Sequence, residues 1–145
     1  MSGTVVCGIG NRMRGDDAIG PLVTDRLRGR TDAELIDCGE SPESYLGKIE
    51  KLKPAKIIIV DAVEMDKSPG TVSVIDTKLI KGVVMSSHNM PMTLFLEYAE
   101  SRLKAKIVFV GVQPSSTAFC EGLSPECSKA VGAAAEEVLK LINPE

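Results

Sequence analysis

The sequence lacks a long apolar run and carries little excess charge of either sign. No apolar stretch approaches the roughly 20 residues that a helix needs to cross a bilayer, and no basic segment leads into an apolar one near residue 1. A net charge of −3, without a block of Lys and Arg, argues against a nucleic-acid-binding surface. We therefore expect a cytoplasmic protein with neither membrane insertion nor a nucleic-acid partner.

Cysteine and histidine are also scarce, which limits the chemistry of any site. The four cysteines fit neither a zinc-ribbon nor a C-x-x-C redox pattern, so we expect reduced, structural thiols. A metal-binding pair formed by Cys120 and Cys127 is the alternative. Because His88 is the only histidine, a Ser-His-Asp or Cys-His triad would have to use it. No cysteine has an evident partner, so water is the expected hydrolytic nucleophile.

Length and apolar content predict one domain with a substantial core. The chain has 145 residues, 43% of them apolar, and we assign 1–145 to a single domain. Short β-rich runs alternate with longer helical periods, as in βα units. We predict strands over 4–9, 33–37, 55–60, 71–76 and 106–110. The predicted fold is α/β, a three-layer α/β/α sandwich around a mixed, twisted sheet of about five strands.

The connection before the fourth predicted strand is too short for a crossover helix, so that strand is predicted to be antiparallel. Helices are predicted over 19–28, from Ser41 to about 52, over 91–103 and from Ser124 onward. Two of these helices are predicted to begin with the same sequence of residue types, Ser41-Pro42-Glu43 and Ser124-Pro125-Glu126. In each, Ser is expected to cap the helix, Pro to occupy the first turn and Glu to face the positive end of the helix dipole.

Acidic side chains follow two of the predicted strands where those strands end. The segment Gly8–Gly20 contains Asp16 and Asp17, and Asp61 comes directly after the third predicted strand. In open α/β sheets, ligands bind beyond the carboxyl ends of the strands. The residues before His88 are numerous enough to return the chain to this edge. We therefore expect Asp17, Asp61 and His88 to meet there.

Two carboxylates and an imidazole form a three-ligand set for a borderline divalent ion, with coordination positions left open. Without a metal, two close carboxylates would instead act as an acid–base pair with one raised pKa. Each residue also has an ordinary interpretation: a helix cap for Asp16 or Asp17, a turn residue for Asp61, and a surface or loop-anchoring side chain for His88. The Gly-rich turn lacks dinucleotide-binding spacing, and its aspartates would repel a pyrophosphate, so we expect no organic cofactor.

The sequence resembles the maturation endopeptidases of nickel-iron hydrogenases. The resemblance rests on three segments in the family's order and spacing: Gly8-Ile-Gly-Asn-Arg-Met-Arg-Gly-Asp-Asp-Ala-Ile-Gly20, Ile59-Val-Asp-Ala62 and Ser87-His-Asn-Met-Pro91. It covers nearly the whole chain and is strongest to the hydrogenase 3 type, which shares further segments: Ser41-Pro42-Glu43, Pro69-Gly70 and Gly111-Val-Gln-Pro114.

This resemblance implies an endopeptidase that removes a C-terminal extension from the hydrogenase large-subunit precursor after nickel insertion. Nickel carried by the substrate would be the recognition element. Asp17, Asp61 and His88 would be its ligands and the catalytic residues, with Asp16 in support. The precursor is the expected partner, and the protease is expected to be a monomer. Two alternatives are a metallochaperone that holds nickel or the precursor without cleaving it, and a self-contained metallopeptidase with its own zinc.

Overall fold

The computed structural model describes residues 3–80, 92–115 and 122–143. Its strands are β1 (Thr4–Ile9), β2 (Glu34–Gly39), β3 (Lys56–Ala62), β4 (Val72–Ile75) and β5 (Lys106–Val112). Its helices are α1 (Ile19–Leu27), α2 (Leu46–Leu52), the single turn α3 (Thr77–Ile80), α4 (Met92–Tyr98) and α5 (Pro125–Ile142). The 3-10 turns Gly15–Ala18 and Pro42–Tyr45 precede α1 and α2, and α4 continues into a π-helical turn over Ala99–Leu103.

The strands form one five-stranded sheet in the order β2-β1-β3-β5-β4. Neighbouring strands are parallel throughout, except that β4 runs antiparallel to β5 with Val72 opposite Val112. The predicted mixed sheet and its antiparallel strand are confirmed. The short connection from β3 to β4 is the physical reason, because it holds no helix that could return the chain for a parallel strand.

Helices cover both faces of the sheet, and each face has its own apolar core. On one face α2 and α4 pack against the strands, and on the other α1 and α5 do so. The central strand β3 contributes Ile57 and Ile59 to the first core and Ile58 and Val60 to the second. The predicted three layers are confirmed. Of the helices described, none is both long and apolar enough to cross a membrane.

Strand ends differ from the prediction where pairing continues past the last apolar residue. β3 extends beyond residue 60, and Asp61 pairs with Gly111 of β5. Asp61 therefore lies inside the strand, one residue before its end, rather than directly after it as predicted. β2 likewise begins and ends later than predicted, at Glu34–Gly39. Ladder hydrogen bonds to a neighbouring strand decide these ends, and local hydropathy does not report them.

One of the two predicted serine caps is confirmed. The Oγ of Ser124 accepts a hydrogen bond from the backbone N–H of Cys127 at 3.3 Å, where α5 begins. The predicted Ser41 cap is wrong, because its side chain makes no capping bond to the 3-10 turn that follows. In that tighter turn the backbone carbonyl of Ser41 accepts a hydrogen bond from the N–H of Ser44 at 3.0 Å. A backbone group therefore satisfies this N–H of the first turn.

Helix α1 meets the sheet at Gly20 with no side chain between the two backbones. A Cβ at Gly20 would overlap the backbone of Ile9 and the carbonyl oxygen of Val60. Gly20 thus allows α1 to begin directly against the ends of β1 and β3. The turn Gly15–Ala18 also contacts β3. This close approach places the residues before α1 at the carboxyl edge of the sheet.

We expect Gly20→Ala to lower the free energy of unfolding by about 2 kcal/mol, because the added Cβ meets backbone that has little room to move. Urea denaturation measures the change. Gly47→Ala in α2 is the matched control, since a Cβ there meets nothing within 4 Å. It should leave stability unchanged or raise it by up to about 1 kcal/mol. Equal destabilisation by both substitutions would contradict the close-approach role of Gly20.

Candidate active site

Asp17 lies in the 3-10 turn between β1 and α1 and is buried, with 2% of its surface exposed. The backbone N–H of Asn11 lies 3.1 Å from the Oδ2 of Asp17 and 3.1 Å from its carbonyl oxygen. The N–H of Asp17 donates to the carbonyl of Arg14 at 2.9 Å. The loop is also tight at Gly10, where a Cβ would overlap the carbonyl oxygen of Asp17. The Asp17 carboxylate is therefore held in place by the backbone around it.

Asp61 is fully buried near the carboxyl end of the central strand. β1 and β3 are parallel neighbours with Gly8 opposite Val60, so Asp61 and the loop that carries Asp17 leave the sheet at the same edge. The turn that contains Asp17 also contacts β3. The structure thus places both carboxylates at one edge. The interpretation of Asp61 as an ordinary turn residue is wrong, because pairing with β5 keeps it inside a buried strand.

His88, the third predicted ligand, lies outside the described residues, as does Cys120 of the alternative cysteine pair. Within 3–80, 92–115 and 122–143, no group of three or more His, Cys, Asp and Glu side chains is arranged to hold a metal ion. The joint role of Asp17, Asp61 and His88 therefore stays a prediction.

Asp16 is buried next to Asp17, with 1% of its surface exposed, but its carboxylate has different partners. Oδ2 accepts hydrogen bonds from the N–H of Ser115 at 2.7 Å and from the Oγ of Ser124 at 2.8 Å, and Oδ1 accepts the N–H of Ser124 at 2.8 Å. Asp16 therefore ties the turn before α1 to the end of β5 and the start of α5. The helix-cap interpretation of these aspartates is wrong, because Ala18 occupies the N-cap of α1 and no side chain caps it.

Gln113 supports the other side of this edge, a role that the sequence analysis missed. It is a buried residue that follows β5, with 4% of its surface exposed. Its Oε1 accepts the N–H of Met65 at 2.6 Å and that of Lys67 at 3.3 Å, and its Nε2 donates to the Oε2 of Glu64 at 3.0 Å. These bonds fix the loop that follows Asp61. The sequence indicates only that a polar residue follows a strand.

Arg12 anchors the loop between β1 and α1, and sequence reasoning missed it as well. Its guanidinium bonds Asp25 of α1 through two nitrogens, at 2.8 and 3.0 Å, and Asp37 of β2 at 2.8 and 3.1 Å. The hydrogen bonds to Asp25 and Asp37 raise the pKa of Arg12, and the hydrogen bond from Arg12 lowers the pKa of Asp25. The Nδ2 of Asn11 adds a bond to the Oε2 of Glu40 at 2.8 Å.

The described cysteines are buried free thiols, as expected for Cys7, Cys38 and Cys127. The hydrogen bond with Cys38, together with burial, raises the pKa of the Cys7 thiol. Burial is the main cause that raises the pKa of Cys127. A thiol with a raised pKa is a weak nucleophile near neutral pH, because the thiolate is the reactive form. Cys7 and Cys127 are therefore poor candidates for covalent catalysis.

Comparison with known proteins places this geometry in a family. The sequence model described as "HycI: Hydrogenase maturation protease" matches residues 22–141, a range that includes Asp61 and His88 and begins after Asp17. The chain is 32% identical over 122 residues to the hydrogenase 3 maturation protease of Escherichia coli K12, covering 82% of this chain and 77% of that protein.

Two solved structures have the same fold. The HycI NiFe hydrogenase maturation protease of Thermococcus kodakarensis superposes with a TM-score of 0.83 at 35% identity, covering 97% of this chain and 92% of that one. The hydrogenase maturating endopeptidase HybD of E. coli superposes with a TM-score of 0.78 at 25% identity, covering 97% and 92%.

We expect Asp16→Asn to lower the free energy of unfolding by about 2 kcal/mol, because an amide has one acceptor oxygen and leaves a buried donor facing its own NH2 group. Urea denaturation measures this loss. The matched control is Glu34→Gln, an exposed carboxylate at the start of β2, which should change stability by less than about 0.5 kcal/mol. Wild-type stability in Asp16→Asn would show that the hydrogen bonds from Ser115 and Ser124 do not hold this edge together.

The bond between Arg12 and Asp25 predicts a pH-dependent contribution to stability. Because the folded chain has the lower Asp25 pKa, the contribution is fully present above the pKa of the unfolded chain and is lost as pH falls through the folded value. Asp25→Asn should therefore be less stable than wild type at pH 7, by at most about 1 kcal/mol for an exposed pair. The difference should vanish in acid. A difference that persists at the lowest pH where both proteins stay folded would contradict this assignment.

Proposed function

The chain belongs to the hydrogenase maturation protease family, and we propose that it removes a C-terminal extension from the precursor of a hydrogenase large subunit. One observation in the structure carries the proposal. Asp17 and Asp61 are both buried, and they lie at the carboxyl edge of neighbouring parallel strands, where α/β sheets bind their ligands.

The second part of the proposal is that the protease recognises nickel already bound in the precursor. Burying a carboxylate is costly unless it is hydrogen-bonded, paired with a charge or bound to a metal. Carboxylate oxygens with an imidazole nitrogen from His88 would form a ligand set that suits a divalent first-row ion. Three protein ligands leave coordination positions for groups of the precursor. An incomplete set of this kind suits a metal that arrives with the substrate.

Water is the proposed nucleophile for cleavage of the peptide bond. A water near the precursor's nickel would be acidified by the metal, and one of the two carboxylates would accept its proton as it attacks the carbonyl carbon. The buried thiols of Cys7 and Cys127 are unsuited to that role, because burial raises the pKa of each and favours the neutral form. Asp16 supports the site by accepting hydrogen bonds from Ser115 and Ser124 of the connection between β5 and α5, and we propose no proton transfer for it.

We expect Asp17→Asn, Asp61→Asn and His88→Ala each to lower the rate of precursor trimming by at least about 100-fold, because each removes a ligand or a base. The assay uses the intact mass of a nickel-loaded hydrogenase 3 large-subunit precursor over time. Glu34→Gln is the matched control, since Glu34 is an exposed carboxylate at the start of β2, at the opposite edge of the sheet from Asp17. It should trim at nearly the wild-type rate.

The same assay separates the proposal from its alternatives. A wild-type protein that binds the precursor without shortening it would contradict cleavage and favour a metallochaperone. Stoichiometric zinc in the active, purified protein would favour a self-contained metallopeptidase. A site variant that still trims at the wild-type rate would remove that residue from the proposed site and leave the endopeptidase activity standing.

A further inference from the structure

Met13 is the most exposed large apolar side chain among those of the described residues, with 60% of its surface in solvent. It lies in the loop between β1 and the turn that carries Asp17, at the carboxyl edge of the sheet. The others are Leu94, Val74 and Leu52, with 51%, 50% and 40% exposed. A single exposed apolar residue is common on protein surfaces. Met13 differs from the others in two ways: it lies close in sequence to Asp17, and hydrogen bonds hold the backbone around it.

The backbone around Met13 is held by several bonds in a short span. Met13 occupies the centre of a turn that the N–H of Arg14 closes on the carbonyl of Asn11 at 3.1 Å. The N–H of Met13 itself donates to the Oδ1 of Asn11 at 2.8 Å. The preceding residue, Arg12, bonds Asp25 and Asp37, each at 2.8 Å in its shortest contact. The loop therefore presents an apolar side chain on a fixed backbone.

An apolar side chain on a fixed backbone is suited to binding a protein partner. Its backbone loses little conformational freedom on association, so more of the burial energy appears as affinity. Methionine is enriched at protein interfaces, because its flexible thioether adapts to the opposing surface. Three residues separate Met13 from Asp17, so a partner that brings its metal to Asp17 also comes close to this turn.

We propose that Met13 is an apolar docking contact for the hydrogenase large-subunit precursor at the rim of the candidate active site. This inference rests on the proposed function and adds a contact that binds the protein part of the substrate, beside the carboxylates that would bind its nickel. Met13 takes no part in the chemical step. Its loss should therefore weaken binding and leave the rate of cleavage in the bound state unchanged.

The test compares Met13→Ser with two other variants of the 145-residue chain. Trimming of the nickel-loaded precursor is followed by intact mass at several precursor concentrations, which gives KM and kcat separately. Met13→Ser should raise KM by about tenfold, the effect of no longer burying most of this side chain, with kcat within about twofold. Met13→Leu retains an apolar side chain of similar volume and should restore KM to near the wild-type value.

Leu52→Ser is the matched control for exposed apolar surface. Leu52 ends α2 just before β3 begins, so it lies at the opposite edge of the sheet from Asp17. Its KM should equal that of wild type. Thermal unfolding of all variants is measured in parallel, and Met13→Ser should melt with wild type because its side chain is mostly in solvent.

The possible outcomes separate this inference from the proposed function. If wild type trims the precursor and Met13→Ser has the same KM as Leu52→Ser, the docking contact is disproved and the endopeptidase assignment stands. A fall in kcat with an unchanged KM would also overturn it, since Met13 would then act on the chemical step. If wild type trims no precursor, the proposed function fails first and the docking contact fails with it.

Discussion

Three carboxylates, those of Asp16, Asp17 and Asp61, are buried at one edge of the sheet, where each must replace the water it has lost. Much of the surrounding structure serves that need. Asp16 is satisfied by donors from the two ends of the connection between β5 and α5, at Ser115 and Ser124. Asp17 takes a backbone N–H from its own loop. Because these carboxylates are bonded to different elements, the edge is fixed only when the whole fold has formed.

The buried carboxylates must also be held in position, and a glycine and two polar side chains near the site do this. Gly20 lets α1 begin against the ends of β1 and β3, which places the aspartate turn beside the central strand. Arg12 then fastens the loop to α1 and β2, and Gln113 fastens the loop that follows β3. A protease that recognises a metal inside a folded partner benefits from ligands that are in place before the partner arrives. The loop that Arg12 fastens also carries Met13, and its fixed backbone is the basis of the docking role proposed for that residue.

The sheet and its layers could be predicted from the sequence, because apolar runs and short connections report burial and strand direction locally. The burial of β3 on both faces follows directly from its uninterrupted apolar residues. The pairing of Asp61 with β5 could not be predicted, since a polar residue hides the true end of a strand whose partner is distant in sequence. The bonds of Arg12 and Asp16 join residues far apart in the chain, and nothing in the local pattern marks them. Ser41 shows the converse, a local cap signal overridden by a tighter backbone turn.

The central claim is that the buried carboxylates recognise nickel carried by the substrate. The most direct measurement is intact mass of a hydrogenase 3 large-subunit precursor after incubation with the protease, in its nickel-loaded form and in its nickel-free form. We predict that only the nickel-loaded precursor loses its C-terminal extension. Equal trimming of both forms would contradict it, because recognition would then not depend on the metal that Asp17 and Asp61 are proposed to bind.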